Sequence, residues 1–221
     1  MSETATTSES IDDFLRELSE DNARYYGDTP AELKTYWPHR LVGEAAIEAI
    51  RTRWFNEYMG TIVLARLVEK IDHPKIKLMI ARQVGDEAKH AQVCEKRVRQ
   101  LGGRVDDYEP LPEQMRLYEE LDNFEHTEQF LAGMQFTTEH EGVKRNEEAL
   151  DRFDSQTSQM FGDAINPDEH FHVQIGWVGL KLLATTPEAQ ERARDACHQQ
   201  RELHREWTAA YRIRMKERGL L

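Results

Sequence analysis

The sequence predicts an all-α fold, and three observations carry that reading. Apolar residues recur at helical spacing along nearly the whole 221-residue chain. Its twelve glycines and seven prolines fall between the periodic segments more often than inside them. No stretch alternates β-branched and polar residues in the manner of a strand meander.

Residues 1–37 read as an N-terminal extension. A Ser/Thr-rich acidic start from Met1 to Glu9 leads into a short helix over 10–26, with Ile11, Phe14, Leu15 and Leu18 on one side. Asp28-Thr29-Pro30 starts another turn or two, and Pro38 suits a first helical position. A main body follows over 38–184. Its first helix carries Ile47, Ile50, Trp54, Glu57, Thr61, Leu64, Val68 and Ile71 on one stripe, and His73-Pro74 breaks it. A second helix shows Ile76, Ile80, Gln83, Glu87, His90, Cys94, Val98 and Leu101 on one face, ending at Gly102-Gly103. Residues 104–126 are an acidic crossover with Pro110 and Pro112, holding one short helix around Glu113 to Leu121. The third helix, about His126 to Phe153, is the least cleanly striped. The fourth runs from about Ser155 to Ala184, with Pro167 kinking it or starting it afresh. An additional C-terminal helix occupies 187–218, with Ala193, Cys197, Leu203, Trp207 and Ala210 towards one side.

Composition narrows the function. Twenty-nine Lys and Arg against 41 Asp and Glu give a net charge of −12, which repels phosphate backbones and anionic lipid headgroups. Neither a nucleic acid nor a membrane surface is therefore an expected partner. The apolar runs Tyr58 to Ala65 and Gly179 to Ala184 are far too short to span a bilayer. Cys94 and Cys197 are too few for a disulfide framework or a Cys-rich metal site, and the start lacks the pattern of a secretory signal. A reducing, cytoplasmic setting is the expectation.

The chemistry lies in what interrupts the stripes. Glu57, Glu87 and His90 occupy core positions, and burying an ionised carboxylate without a partner costs several kcal/mol even after relaxation. A metal ion supplies the missing charge. Glu-x-x-His occurs at Glu87-Ala88-Lys89-His90 and again at Glu169-His170-Phe171-His172, and at i, i+3 both side chains leave one helix face. Each motif has a glutamate thirty residues upstream, Glu57 before Glu87 and Glu139 before Glu169. Thirty residues make about fifteen out and fifteen back, each roughly 22 Å, so an antiparallel hairpin returns the second glutamate to the height of the first. Trp54 and Gly60 bracket Glu57 as Phe136 and Gly142 bracket Glu139, a faint internal repeat. Glu139 is the preferred carboxylate of the third helix, with Glu141 left open; His140 and His170 should face outward, because adjacent helical residues diverge.

Four Glu and two His in this pattern match the ligand set of di-iron and di-manganese carboxylate bundles. On these residues the chain resembles the ferritin-like di-iron carboxylate superfamily over about residues 44–184. Asp86-Glu87-Ala88-Lys89-His90-Ala91-Gln92 looks especially like the second-helix signature of its rubrerythrin-like and hydroxylase members, and Asp168-Glu169-His170-Phe171-His172 has the same core. The resemblance implies a ferritin-like four-helix bundle with an N-terminal helical extension and an extra C-terminal helix. It implies metal ligands Glu57, Glu87, His90, Glu139, Glu169 and His172, with Glu87 and Glu169 bridging two ions. Oxygen and imidazole donors without thiolate suit Fe, with Mn or mixed Fe/Mn as alternatives. Asp86 and Asp168 are candidates to accept the ligand histidines' other N–H, each serving the His across the bundle.

The function so implied is O₂-dependent oxidation, by hydroxylation or N-oxygenation, of a small organic substrate. Electrons would come from an external reductase or ferredoxin, since no flavin or nicotinamide motif is visible. Ferroxidase or peroxidase chemistry of the ferritin–rubrerythrin kind is the first rival, and a helical interaction scaffold without catalysis the second. The terminal additions are easier to understand as walls of a pocket or as homodimer contacts than as parts of a storage shell. Trp54, Phe55, Tyr58, Met134, Phe136 and Phe171 are candidates to line an apolar cavity, and Tyr58 and Thr61 to deliver protons or electrons.

Overall fold

The computed structural model describes residues 10–28 and 40–221, and these are helical almost throughout. The turn expected at Asp28-Thr29-Pro30 and the start expected at Pro38 lie, but for Asp28, outside the described residues. Helix α1 (Ile11–Asp28) buries Phe14, Leu15 and Leu18, three members of its predicted stripe. Helices α2 (Glu44–Lys70) and α3 (Pro74–Gln100) are joined by three residues and pack along each other. They run antiparallel: Gly60 lies against Glu87, while Gly103, just beyond α3, lies against Ile47. Gly102 adopts φ +85° at the end of α3, and Gly103 N–H returns to Val98 O at 2.9 Å, a glycine C-cap of the kind the sequence indicates.

The crossover carries α4 (Pro112–Asn123), beginning on a proline at the first turn. Next comes α5 (Thr127–Leu131), which runs without a break through a π-helical stretch, Ala132–Glu139, into α6 (His140–Ala149). A 3₁₀ turn over Leu150–Arg152 ends this arm. The fourth arm is also composite: α7 (Ser155–Met160), a π-helical stretch Phe161–Ile165, and α8 (Asn166–Leu183). Pro167 sits in the first turn of α8, directly after the π-helical stretch, and the arm stays helical through it. The last helix, α9 (Pro187–Glu217), packs along α4, α5 and the first π-helical stretch, so it is built into the body of the fold.

The first π-helical stretch explains the weak stripe over 126–153. Widening a helical turn displaces carbonyls from their usual partners, and side chains here supply replacements. The Thr138 hydroxyl donates to Gly133 O (3.0 Å), Cys197 Sγ to Ala132 O (3.3 Å), and buried Asn22 Nδ2 to Phe136 O (3.4 Å).

Burial divides each long helix into three layers. Val63, Leu64, Ile76, Ile80, Leu131, Ile175 and Ala193 belong to one apolar core; Ile50, Cys94, Val98, Ile165, Trp207 and Met215 belong to another. Between them, at the heights of Glu57 on α2, Glu87 and His90 on α3, Glu169 and His172 on α8, and Gln200 and His204 on α9, the interior is polar. No helix among the described residues is long and apolar enough to cross a membrane.

Candidate metal centre

The polar layer brings together all six predicted ligand residues. Glu57, His90 and Glu169 form one triad and Glu87, Glu139 and His172 another, and within each a donor atom from every member lies within 4.8 Å of the others. His90 Nδ1 is 3.5 Å from Glu57 Oε2 and 3.6 Å from Glu87 Oε2. His172 Nδ1 is 3.3 Å from Glu169 Oε2, 3.4 Å from Glu87 Oε1 and 4.0 Å from Glu139 Oε2. Glu87 therefore turns one oxygen to each histidine, and Glu169 belongs to one triad while touching the imidazole of the other. The open choice on the third helix resolves to Glu139: the π-helical stretch ends at that residue and aims it inward. His140 and His170 are exposed, as the divergence of adjacent helical positions requires.

The outer nitrogens are held crosswise. His90 Nε2 lies 3.2 Å from Asp168 Oδ2 and His172 Nε2 lies 3.5 Å from Asp86 Oδ2. Each aspartate thus faces the histidine of the other motif, as the geometry of a single helix turn predicts. Lys89 pairs with Asp168, and Arg82 Nε lies 3.5 Å from Asp86 Oδ2, so both aspartates are neutralised from the surface side.

Three further residues complete the site, and sequence reasoning did not assign them to it. Arg53 pairs with both Glu57 and Glu169. Gln83 Nε2 donates to Glu87 Oε1 (2.9 Å) and Glu139 Oε1 (3.0 Å), and its own oxygen accepts from Gln135 Nε2 (3.1 Å). Arg53, Gln83 and Gln135 stand four residues before Glu57, Glu87 and Glu139. A polar residue one turn before three of the four inward glutamates, Glu169 with Ile165 being the exception, is the signal that could have revealed them.

Electrostatics are severe. Burial alone would raise Glu57, but the Arg53 guanidinium and His90 hold it well below the usual carboxylate range. Against the same cost of burial, Arg53 and His172 hold Glu169 down to about 2. Burial and the charge of Glu57 push Glu87 up to about 7, and burial with Glu169 and Glu87 raises Glu139 well above its ordinary value. Burial disfavours a charged His90, yet Glu57 and Glu87 lift it to about 11. The centre thus favours bound positive charge, which the raised Glu87 and Glu139 and the lifted imidazoles supply as protons and which a cation could supply in their place. The donors fit cations: His90 Nδ1 is buried without a hydrogen-bond partner and faces two carboxylates. The two triads can hold metal ions, and their oxygen and nitrogen donors exclude a soft-metal thiolate site.

A cavity of about 190 Å³ opens onto this centre. Glu57, Glu87, Glu139 and Glu169 all line it, whereas His90 and His172 do not. Its apolar walls come from α4 (Leu117, Tyr118, Leu121), from Phe153 and Phe161, and from Trp207 and Tyr211 of α9. The expected lining needs correction: of the six candidates only Met134 reaches the cavity. Phe136 instead packs on Trp177 at 4.8 Å, Arg82 covers Phe171, Phe55 packs on Tyr108, and Trp54 stacks on a half-exposed Tyr58. Thr61 donates its hydroxyl to Glu57 O. Gly60 and Gly142, the glycines of the internal repeat, both line the cavity, where a missing side chain leaves room above the carboxylates.

No protein-family model matches the chain, and no curated protein matches it.

Proposed function

We propose that the protein is a non-heme di-iron oxidoreductase of the ferritin-like kind, using O₂ to hydroxylate or N-oxygenate a small organic substrate. The observation that carries this reading is the placement of a walled, largely apolar cavity directly over four converging carboxylates. Surface acidic clusters bind cations without such a cavity, and a mere scaffold has no use for one.

In this reading Glu57, His90 and Glu169 would hold one ion and Glu87, Glu139 and His172 the other, with Glu87 lying near the histidines of both motifs and Glu169 near that of the neighbouring triad. A pair of ferrous ions, when bound, supplies the electrons and open positions that O₂ reduction needs; Mn or a mixed Fe/Mn pair fits the same donors. The protein does the rest. Asp168 accepts the Nε2–H of His90, and Asp86 stands 3.5 Å from His172 Nε2, so each carboxylate favours the imidazole orientation with Nδ1 turned inward. Gln83 orients Glu87 and Glu139 through its amide hydrogens. Helix α9 closes the cavity with Trp207 and Tyr211, limiting water at the reacting face. No nicotinamide or flavin motif is visible in the sequence, so electrons come from a separate reductase or ferredoxin.

Anaerobic loading with Fe(II) tests this. The expected result is two irons per chain by elemental analysis and, on exposure to air, a single oxidation event that added reductant renews. Fewer than one iron per chain would sink the reading in favour of a scaffold. Continued iron uptake with growth of a mineral would replace it with a ferroxidase.

A further inference from the structure

Resting on that reading of the centre, we propose that the cavity takes a carboxylic acid with an apolar body, its carboxylate seated at the Arg53–Asn146 end. Charge points this way first. Two divalent ions balance the four glutamates, which leaves the charge of Arg53 in excess at the cavity wall. Among the described lining residues no other acid is present. The metal-loaded cavity is therefore positive.

Hydrogen bonding points the same way. Asn146 is only 8% exposed, and its Oδ1 accepts from Arg53 at 3.3 Å. An arginine can only donate, so that contact fixes the orientation of the amide. Asn146 Nδ2 is left buried, without a partner, on the cavity wall. Gln200 Nε2, 1% exposed and placed beside Gly133, is a second unpartnered donor. Burying a donor with nothing to accept from it costs free energy that a bound acceptor returns. A carboxylate at Asn146 satisfies that donor and the excess charge of Arg53 together. Leu117, Leu121, Met134, Phe153 and Phe161 offer apolar contact to the rest of the molecule, with Thr52, Asn56, Thr138 and His204 set among them.

The test uses the full chain loaded with Zn(II), which is redox-inert, so binding is read without turnover. The probes are 3-phenylpropanoate and octanoate, their primary amides, and 3-phenylpropylamine, titrated by calorimetry. Both acids should bind the zinc-loaded protein at least about tenfold more tightly than their amides, the margin of a charge-assisted hydrogen bond over a neutral one. Removing the metal should abolish that preference, because the glutamates then repel anions. Asn146→Leu should erase it in the loaded protein. Asn146→Asp, which keeps an acceptor for Arg53 and hence the local fold, should reverse it in favour of the amine. Amides binding as well as acids, or an acid preference that survives metal removal or Asn146→Asp, overturns the assignment. Elemental analysis separates the two failures: with two zinc ions bound and no acid preference, only the substrate class falls, whereas without bound metal the reading of the centre falls as well.

Discussion

Glu87 shows how one side chain can serve two sites. It sits on α3 between two apolar layers, with its oxygens turned to different histidines and Gln83 holding one of them. Gln83 and the two imidazoles are its partners, and burial raises its carboxyl towards neutrality, since an ionised buried carboxylate costs several kcal/mol unless fully paired. Prediction follows at this scale. Glu87→Ala or His172→Ala should abolish the spectroscopic signature of a coupled metal pair, while His140→Ala or His170→Ala should leave it intact; a reversed pattern would mean that the helix faces are wrongly assigned. Glu57, Glu87 and His90 were legible because charged residues on an apolar stripe are conspicuous, and Glu139, Glu169 and His172 because the Glu-x-x-His motif recurs with a glutamate at the same upstream spacing. Arg53 and Gln135 were not, since a lone arginine or glutamine in a charge-rich sequence reads as solvated. Gln83 stood on its stripe in plain view, but its role depends on where Glu139 lies, on another helix.

Among the elements, the composite fourth arm depends on a junction the periodicity did not display. Helix α7 is only six residues long, and Asp154 starts it by accepting from the backbone N–H of Gln156 (3.0 Å) and Thr157 (3.1 Å). Arg97, buried on α3, clamps the same turn through Asp154 (2.7 Å), Gln156 (2.7 Å) and Thr157 (2.8 Å). Burial opposes ionisation of Asp154, but the bonds from Thr157 and Arg97 overcome it and hold the carboxyl down at about 2. A lowered folded-state value means that the ionised form stabilises. That contribution is complete above the ordinary 3.8 and is lost as pH falls through about 2. Asp154→Ala should cost about 1 kcal/mol near neutral pH, as lost helix caps do, and should flatten the acid limb of the stability curve between about pH 4 and 2. Urea denaturation at several pH values checks both. An unchanged acid limb would show that the cap is not a significant part of the acid response. The π-helical stretches escaped the sequence for a related reason: one widened turn shifts the stripe by part of a residue spacing, which looks like a poor stripe rather than a different helix.

For the molecule as a whole, the all-α class and the order of the helical arms were legible from apolar spacing, whereas the division of the third and fourth arms into α-helical and π-helical pieces was not. Nor was the cavity. Its walls come from α4, α9 and the Phe153–Phe161 pair, which are distant in sequence and meet only after packing. Helix α9 also bears on oligomeric state. It packs against α4, α5 and the first π-helical stretch and leaves one side of the body covered. Size-exclusion with light scattering should show a monomer or small oligomer; a closed particle of about twenty-four copies, of the kind storage shells form, would contradict the oxygenase reading. The one-sided approach to the carboxylates carries a stereochemical corollary. Because the imidazoles stand behind them, a molecule held in the cavity offers the reacting centre a single flank, so a prochiral carbon presents only one of its two enantiotopic hydrogens and the product should emerge as one mirror-image form.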